Sequence, residues 1–137
     1  MKRIVMDTNV LISAIGWKGS SYLIWDRSLQ GSHQLLTSSA LLAELDKVLA
    51  RPKFSFIPTM ERQQFLVLFT AITELIEIHI HLDVVKADPS DNRILECAVD
   101  GQADVIISGD HHLVNLKDYN GIPILTPQGF LRWIRMT

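Results

Sequence analysis

Cysteine is nearly missing from this chain: Cys97 is its only one. That excludes an internal disulfide and any zinc site built from several cysteines. A marked excess of charge of either sign is missing as well. The formal charge of −2 gives no global attraction to nucleic acid or to an anionic membrane, so a polyanionic partner would need a local basic patch or bound cations. Long hydrophobic runs are also lacking. The most apolar region, Phe65 to Ile80, carries Glu74 and Glu77, short of the roughly 20 uninterrupted apolar residues of a membrane span. The opening apolar run Ile4-Val5-Met6 stops at Asp7, too early for a secretory signal. A cytoplasmic protein with no membrane partner is expected.

What is there describes a folded domain. The chain has 137 residues, 47% hydrophobic and 20% charged, the size and balance of one ordinary domain with one real core. It shows no repeat, low-complexity tract or linker, so residues 1–137 are expected to form a single domain.

The chain is organised around Val5-Met6-Asp7-Thr8-Asn9-Val10-Leu11. A short, fully apolar run ending at an aspartate suits a strand buried on both faces of a parallel sheet. The second apolar run, from Val10, opens a helix that breaks near Gly16 and Gly19. A second helix follows from Ser20 or Ser21 to Gly31, then a strand at Gln34–Thr37, then a helix from about Ala40 to Ala50 behind Ser38 and Ser39. Thr59 begins a longer helix with Phe65, Leu66, Leu68, Phe69 and Ile72 on its apolar side. The period then changes: Ile76, Ile78 and Ile80 alternate with Glu77, His79 and His81, which predicts a half-buried edge strand. Asp88-Pro89-Ser90-Asp91 has the form of a helix start, with Asp88 as cap and proline at the first helical position. That helix ends at Gly101. Strands at Val105–Ile107 and Ile122–Leu125 and a helix from Pro127 complete the chain. Strands alternating with helices imply right-handed crossovers and a mostly parallel sheet covered on both faces.

In such a sheet the carboxyl ends of the strands share one edge, where ligands bind. Asp7 ends the first strand, Asp110 follows Val105–Ile107 after a glycine turn, and Asp91 lies in the first turn of a helix starting from that edge. Glu44 borders the buried face of its helix, between Leu41 and Val48. Four converging carboxylates raise one another's pKa unless a cation compensates them. One or two Mg²⁺ or Mn²⁺ ions, which take oxygen ligands and keep waters, resolve this. Such ions activate water and neutralise a transferring phosphoryl group, which points to phosphodiester or phosphomonoester hydrolysis. Each acid also has a plain reading: turn residue (Asp7, Asp110), partner of Lys47 (Glu44), cap (Asp88, Asp91). Their convergence carries the argument.

Other residues point less sharply. His79 and His81 share a face without a third ligand, and Cys97 reads as core. His111 and His112 follow Asp110 and can reach substrate or simply occupy a loop. Trp17 beside Lys18 could meet a nucleic-acid strand, and Lys47, Arg51 and Lys53 could bind phosphates or cap a solvated helix end. A Gly-rich phosphate loop, a dinucleotide-binding glycine turn and a nucleophile elbow are all missing. The second aspartate of a haloacid dehalogenase-type phosphatase is missing too, which favours metal-bound water over a covalent route.

In this order and spacing, four stretches resemble the motifs of the PIN-domain family, named for the N-terminal domain of PilT. They are Asp7-Thr8-Asn9-Val10-Leu11, Glu44-Leu45-Asp46-Lys47-Val48-Leu49, Asp88-Pro89-Ser90-Asp91-Asn92 through Ala98, and Ser108-Gly109-Asp110 with Leu113. The resemblance spans nearly the whole chain. It implies a Rossmann-like three-layer α/β/α sandwich whose mostly parallel five-stranded sheet has the order 3-2-1-4-5. It also implies a Mg²⁺- or Mn²⁺-dependent ribonuclease with Asp7, Glu44, Asp91 and Asp110 as catalytic and metal-binding quartet, Asn9 and Ser108 as orienting neighbours, and Asp88 undecided. Small stand-alone members of the family resemble VapC-type toxins, which implies a homodimer or higher homo-oligomer inhibited by a small antitoxin protein. A housekeeping RNA-processing nuclease and a catalytically weak binding module of the same fold are the alternatives.

Overall fold

The computed structural model describes residues 1–136. The first strand, β1 (Lys2–Met6), is central, because its alternate side chains enter two different cores. Ile4 and Met6 join one apolar cluster with Leu35, Val105, Ile107 and residues of the helices α1 (Thr8–Gly16), α2 (Ser20–Leu29), α3 (Ser39–Leu49), α4 (Thr59–Ile72) and α7 (Pro127–Met136). Val5 joins the other, with Leu36, Ile106, Ile124 and residues of α5 (Asp91–Asp100). A strand buried on both sides needs apolar residues at every position, which is why these strands read as unbroken runs. The result is the expected three-layer α/β/α arrangement.

The sheet order is β3-β2-β1-β4-β6-β5. Five strands are parallel: β1, β2 (His33–Thr37), β3 (Glu74–Leu75), β4 (Val105–Ile107) and β6 (Ile122–Leu125). Their order is the expected 3-2-1-4-5. A sixth strand, β5 (Asp118–Tyr119), pairs antiparallel with β6 and raises the expected count of five. It is joined to β6 through Asn120 and Gly121, at φ +53° and +79°. Two consecutive positive φ angles define the tight hairpin turn that Asn-Gly favours.

Three elements differ from expectation. The edge strand is Glu74–Leu75, and Ile76–Ile80 forms no ladder beyond the Ile76 N–H, which donates to Thr37 O at 2.8 Å. The next backbone donors leave the sheet. His79 and Ile80 donate to the Asp100 carboxylate (2.6 and 3.2 Å) and Leu82 to that of Glu96 (2.8 Å), both on α5. The alternation of buried and exposed residues survives because the segment lies along α5 rather than along a strand. On α4, Leu68 lies outside the core, exposed together with Met60 and Val67.

The helix at Asp88-Pro89 also starts later than expected. The N–H groups of Asp91, Asn92 and Arg93 bond three residues back, to Asp88, Pro89 and Ser90. That tight turn delays α5 to Asp91 and leaves the Asp88 carboxylate accepting from the Ser90 N–H (3.2 Å) and hydroxyl (2.6 Å). Asn92, buried behind the turn, locks it in place. Its amide oxygen accepts from Val84 and Val85 N–H, and its amide nitrogen donates to the carbonyls of Val85 and Pro89.

Candidate active site

The chain order reverses between β1 and β4, and the carboxyl ends of these two neighbours build the site. The Asp7 N–H bonds Ile107 O at 3.0 Å, so the residues following both strands emerge side by side. Asp7 also caps α1: one carboxylate oxygen accepts from Val10 N–H at 2.9 Å. The other accepts from the hydroxyl of buried Ser108. The Ser108 oxygen in turn accepts from the Asp110 N–H at 2.9 Å, which ties both acids to one hydroxyl. Asp110 caps the single-turn helix α6 (His111–Val114), accepting from the His112 N–H at 2.7 Å.

Asp91 enters from the start of α5, only 8% exposed. Its Oδ2 is buried and has no hydrogen-bond partner. Glu44 enters half-buried from α3 and accepts a weak bond from the Thr8 hydroxyl at 3.3 Å. Asp7, Glu44, Asp88, Asp91 and Asp110 all line one cavity of about 60 Å³. All four acids expected from sequence are brought together, and Asp88 joins them. Carboxylate oxygens of Asp88, Asp91 and Asp110 lie within 4.8 Å of one another.

The electrostatic consequence falls on Asp91. Burial first, then the neighbouring charges of Asp110, Asp88 and Asp7, push its carboxyl up to about 7. Burial also raises Asp7, against the opposing pull of the Ser108 hydroxyl and the Val10 N–H. A folded protein keeps an unpaired buried carboxylate oxygen only at a cost of about 1–3 kcal/mol, more when charged, and a positive partner would offset it. Hard oxygen donors, several carboxylates and one unspent buried oxygen fit Mg²⁺ or Mn²⁺.

The remaining sequence candidates scatter. Asn9 is exposed on the cavity rim and makes no hydrogen bond to the acids. His79 and His81 lie on the surface, 4.0 Å from Glu77 and 3.6 Å from Glu96. Cys97 is buried in the core, its thiol pushed up to about 12. Trp17 is 55% exposed and meets Phe56 edge-on. Lys47, Arg51 and Lys53 are exposed and do not line the acid cavity. Two contributors were not singled out from sequence: Thr8, inside the opening triplet, and Asn92, beside Asp91. The only signal for either is adjacency to an acid.

The family profile described as PIN domain matches residues 3–112, a span that holds all five acids. The chain belongs to the PIN domain family. PIN domains are generally nucleases that use divalent metals, so phosphodiester hydrolysis is the family's chemistry. Solved structures that share the fold of this chain include two that align over most of its length. VapBC2 from Rickettsia felis, bound to a DNA fragment from its promoter, aligns with a TM-score of 0.59 and 16% identity over 89% of this chain and 96% of that one. FitAcB from Neisseria gonorrhoeae aligns with a TM-score of 0.55 and 15% identity over 91% of this chain and 98% of that one. No curated protein matches the sequence. Among the described residues of this PIN domain, no helix is long and apolar enough to cross a membrane.

Proposed function

We propose that this chain is a single-domain, cytoplasmic, metal-dependent endoribonuclease and the toxin member of a toxin–antitoxin pair. The observation that carries the nuclease reading is the buried, unpartnered Oδ2 of Asp91 inside a ring of acids at the β1–β4 crevice. Asp88, Asp91 and Asp110, together with Asp7 and Glu44 of the same cavity, would hold one or two Mg²⁺ or Mn²⁺. Such ions, when bound, lower the pKa of a coordinated water and offset charge on the phosphoryl group.

The chain's own residues do the rest. Ser108 fixes the Asp7 carboxylate and the Asp110 backbone relative to each other. Thr8 orients Glu44, which borders the cavity and can accept a proton from an attacking water. Asn92 holds the turn that presents Asp88.

The toxin reading draws on the likeness to VapBC2 and on the outer face of α4. Met60, Val67 and Leu68 leave an exposed apolar strip there, the kind of surface a partner protein or a second copy covers. A small antitoxin and a homodimer or higher homo-oligomer are the proposed occupants.

Incubating a mixed structured RNA pool with Mg²⁺ or Mn²⁺, beside EDTA and an Asp7→Asn control, tests the chemistry. Products that vanish with EDTA and in the variant support the nuclease and its site together. Tight RNA binding without turnover would instead mark a binding module. Cleavage by a protein that is harmless on expression and co-purifies with no partner would favour a housekeeping nuclease.

A further inference from the structure

A second hollow, of about 680 Å³, opens directly beside the acid cavity and shares Asn9, Asp88 and Asp110 with it. That volume lies within the range of small-molecule sites and is large enough for a nucleotide. Its far walls come from α1, α2, α6 and the start of α7, and present Ser13, Ser21, His111, His112 and Gln128. No lysine or arginine lines it.

Two features say what would be gripped. The rings of His111 and His112 are in contact, with centroids 4.1 Å apart and planes tilted by 40°. His111 is the exposed member, and both residues line the hollow. An aromatic ring presented in this way is a platform for an unstacked base, and histidine serves in that role in single-stranded RNA recognition. The second feature is unspent hydrogen-bonding capacity. The side chains of Asn9, Ser13, Ser21, Gln128, His111 and His112 make no hydrogen bond or ion pair within the described residues. Uncommitted donors and acceptors beside an aromatic ring suit the edge of a nucleobase.

The platform is also held in register with the acids. The Asp110 carboxylate accepts the N–H of His112, and Asp110 lines both hollows. A base at His111 therefore lies next to a phosphate at Asp88, Asp91 and Asp110.

We infer that this hollow is a nucleobase subsite: His111, backed by His112, stacks one unpaired base of a single-stranded RNA next to the scissile phosphate, and Gln128 and Ser21 read its edge. The inference rests on the ribonuclease reading above, and the test separates the two.

The probe is a fluorescent single-stranded RNA cut from the pool by the wild-type protein, in versions carrying one abasic nucleotide on either side of the cut. Cleavage kinetics and Mn²⁺ affinity are measured for wild type, His111→Ala, His111→Phe and Gln128→Ala. The expected result for His111→Ala is a KM raised about tenfold with kcat retained. His111→Phe keeps a stacking ring without a ligand nitrogen and should restore the wild-type KM. One abasic position should weaken the wild type about as much as His111→Ala does, and should add nothing in that variant. Gln128→Ala, on a separate element, should change the preference among bases at the same position.

An unchanged KM in His111→Ala overturns the subsite and leaves the nuclease standing. Failure of His111→Phe to rescue, with Mn²⁺ affinity lowered in both variants, also overturns it and makes His111 a metal ligand. A wild-type protein that neither binds nor cuts any RNA overturns both readings.

Discussion

The hydroxyl of Ser108, at the end of β4, donates to the carboxylate of Asp7, at the end of β1. The same oxygen accepts the Asp110 N–H. One small side chain thus sets two acids from neighbouring strands. Ser108→Ala leaves a buried Asp7 oxygen and a backbone N–H without their partner. The expected cost is about 1–3 kcal/mol of stability, together with a loss of cleavage larger than the change in RNA affinity. Urea unfolding and a kcat–KM comparison check both parts, and an unchanged kcat would refute the positioning role.

Removing one charge from the ring should trade activity for stability. Asp91→Asn keeps the shape of the side chain, supplies a donor among acceptors and relieves repulsion from Asp110, Asp88 and Asp7. Metal-free Asp91→Asn should melt a few degrees above metal-free wild type at neutral pH, which corresponds to about 1 kcal/mol for a domain of this size. It should cleave no RNA. A variant less stable than wild type would show that the acids do not repel one another as described.

The pH dependence has a definite sign. Asp91 has an ordinary value of 3.8 and is pushed to about 7 in the folded, metal-free chain. Between those values the folded state holds a proton that the unfolded state has released, so stability falls as pH rises through that window. Asp7 is raised as well and acts in the same direction. Mg²⁺ or Mn²⁺ binds the ionised carboxylates of the folded chain, so the stabilisation it adds should grow as pH rises. Denaturation from about pH 5 to about pH 8, with EDTA and with Mn²⁺, should give curves that diverge toward high pH. Parallel curves would contradict the raised values.

Asn92 never faces the cavity, yet four hydrogen bonds run through its amide to the 84–89 turn. Asn92→Ala should cost about 2–4 kcal/mol and lower metal affinity through Asp88. Asn92→Asp replaces the amide donor with an acceptor and should be nearly as harmful. Thermal melts and Mn²⁺ titration of both variants test this. Normal metal affinity in a folded Asn92→Ala would sever the link to Asp88.

Asp7, Asp91 and Asp110 were legible in the sequence because each follows a run or cap signal that fixes its place at the sheet edge. Glu44 was legible from its position on the rim of an apolar helix face. Asp88 was harder to place, since an aspartate before proline reads as a helix cap. Only the three-residue-back bonding of Asp91, Asn92 and Arg93 shows that the helix starts later and that Asp88 stays with the acids. The segment 76–80 misled for a different reason. A two-residue period records which side chains are covered, and says nothing of whether a strand or Asp100 receives the backbone N–H groups. The strand β5, two residues long, is below the reach of any periodicity, and its trace in the sequence is the Asn120-Gly121 pair.

Both outer strands of the sheet, Glu74–Leu75 and Asp118–Tyr119, are only two residues long. Beyond the first, the chain turns its backbone donors toward α5, and beyond the second, a tight hairpin returns it to β6. Neither margin offers a ladder long enough for a stray chain to extend, which is a protection against edge-to-edge aggregation. Copies of the folded protein at high concentration are therefore kept from joining sheet to sheet.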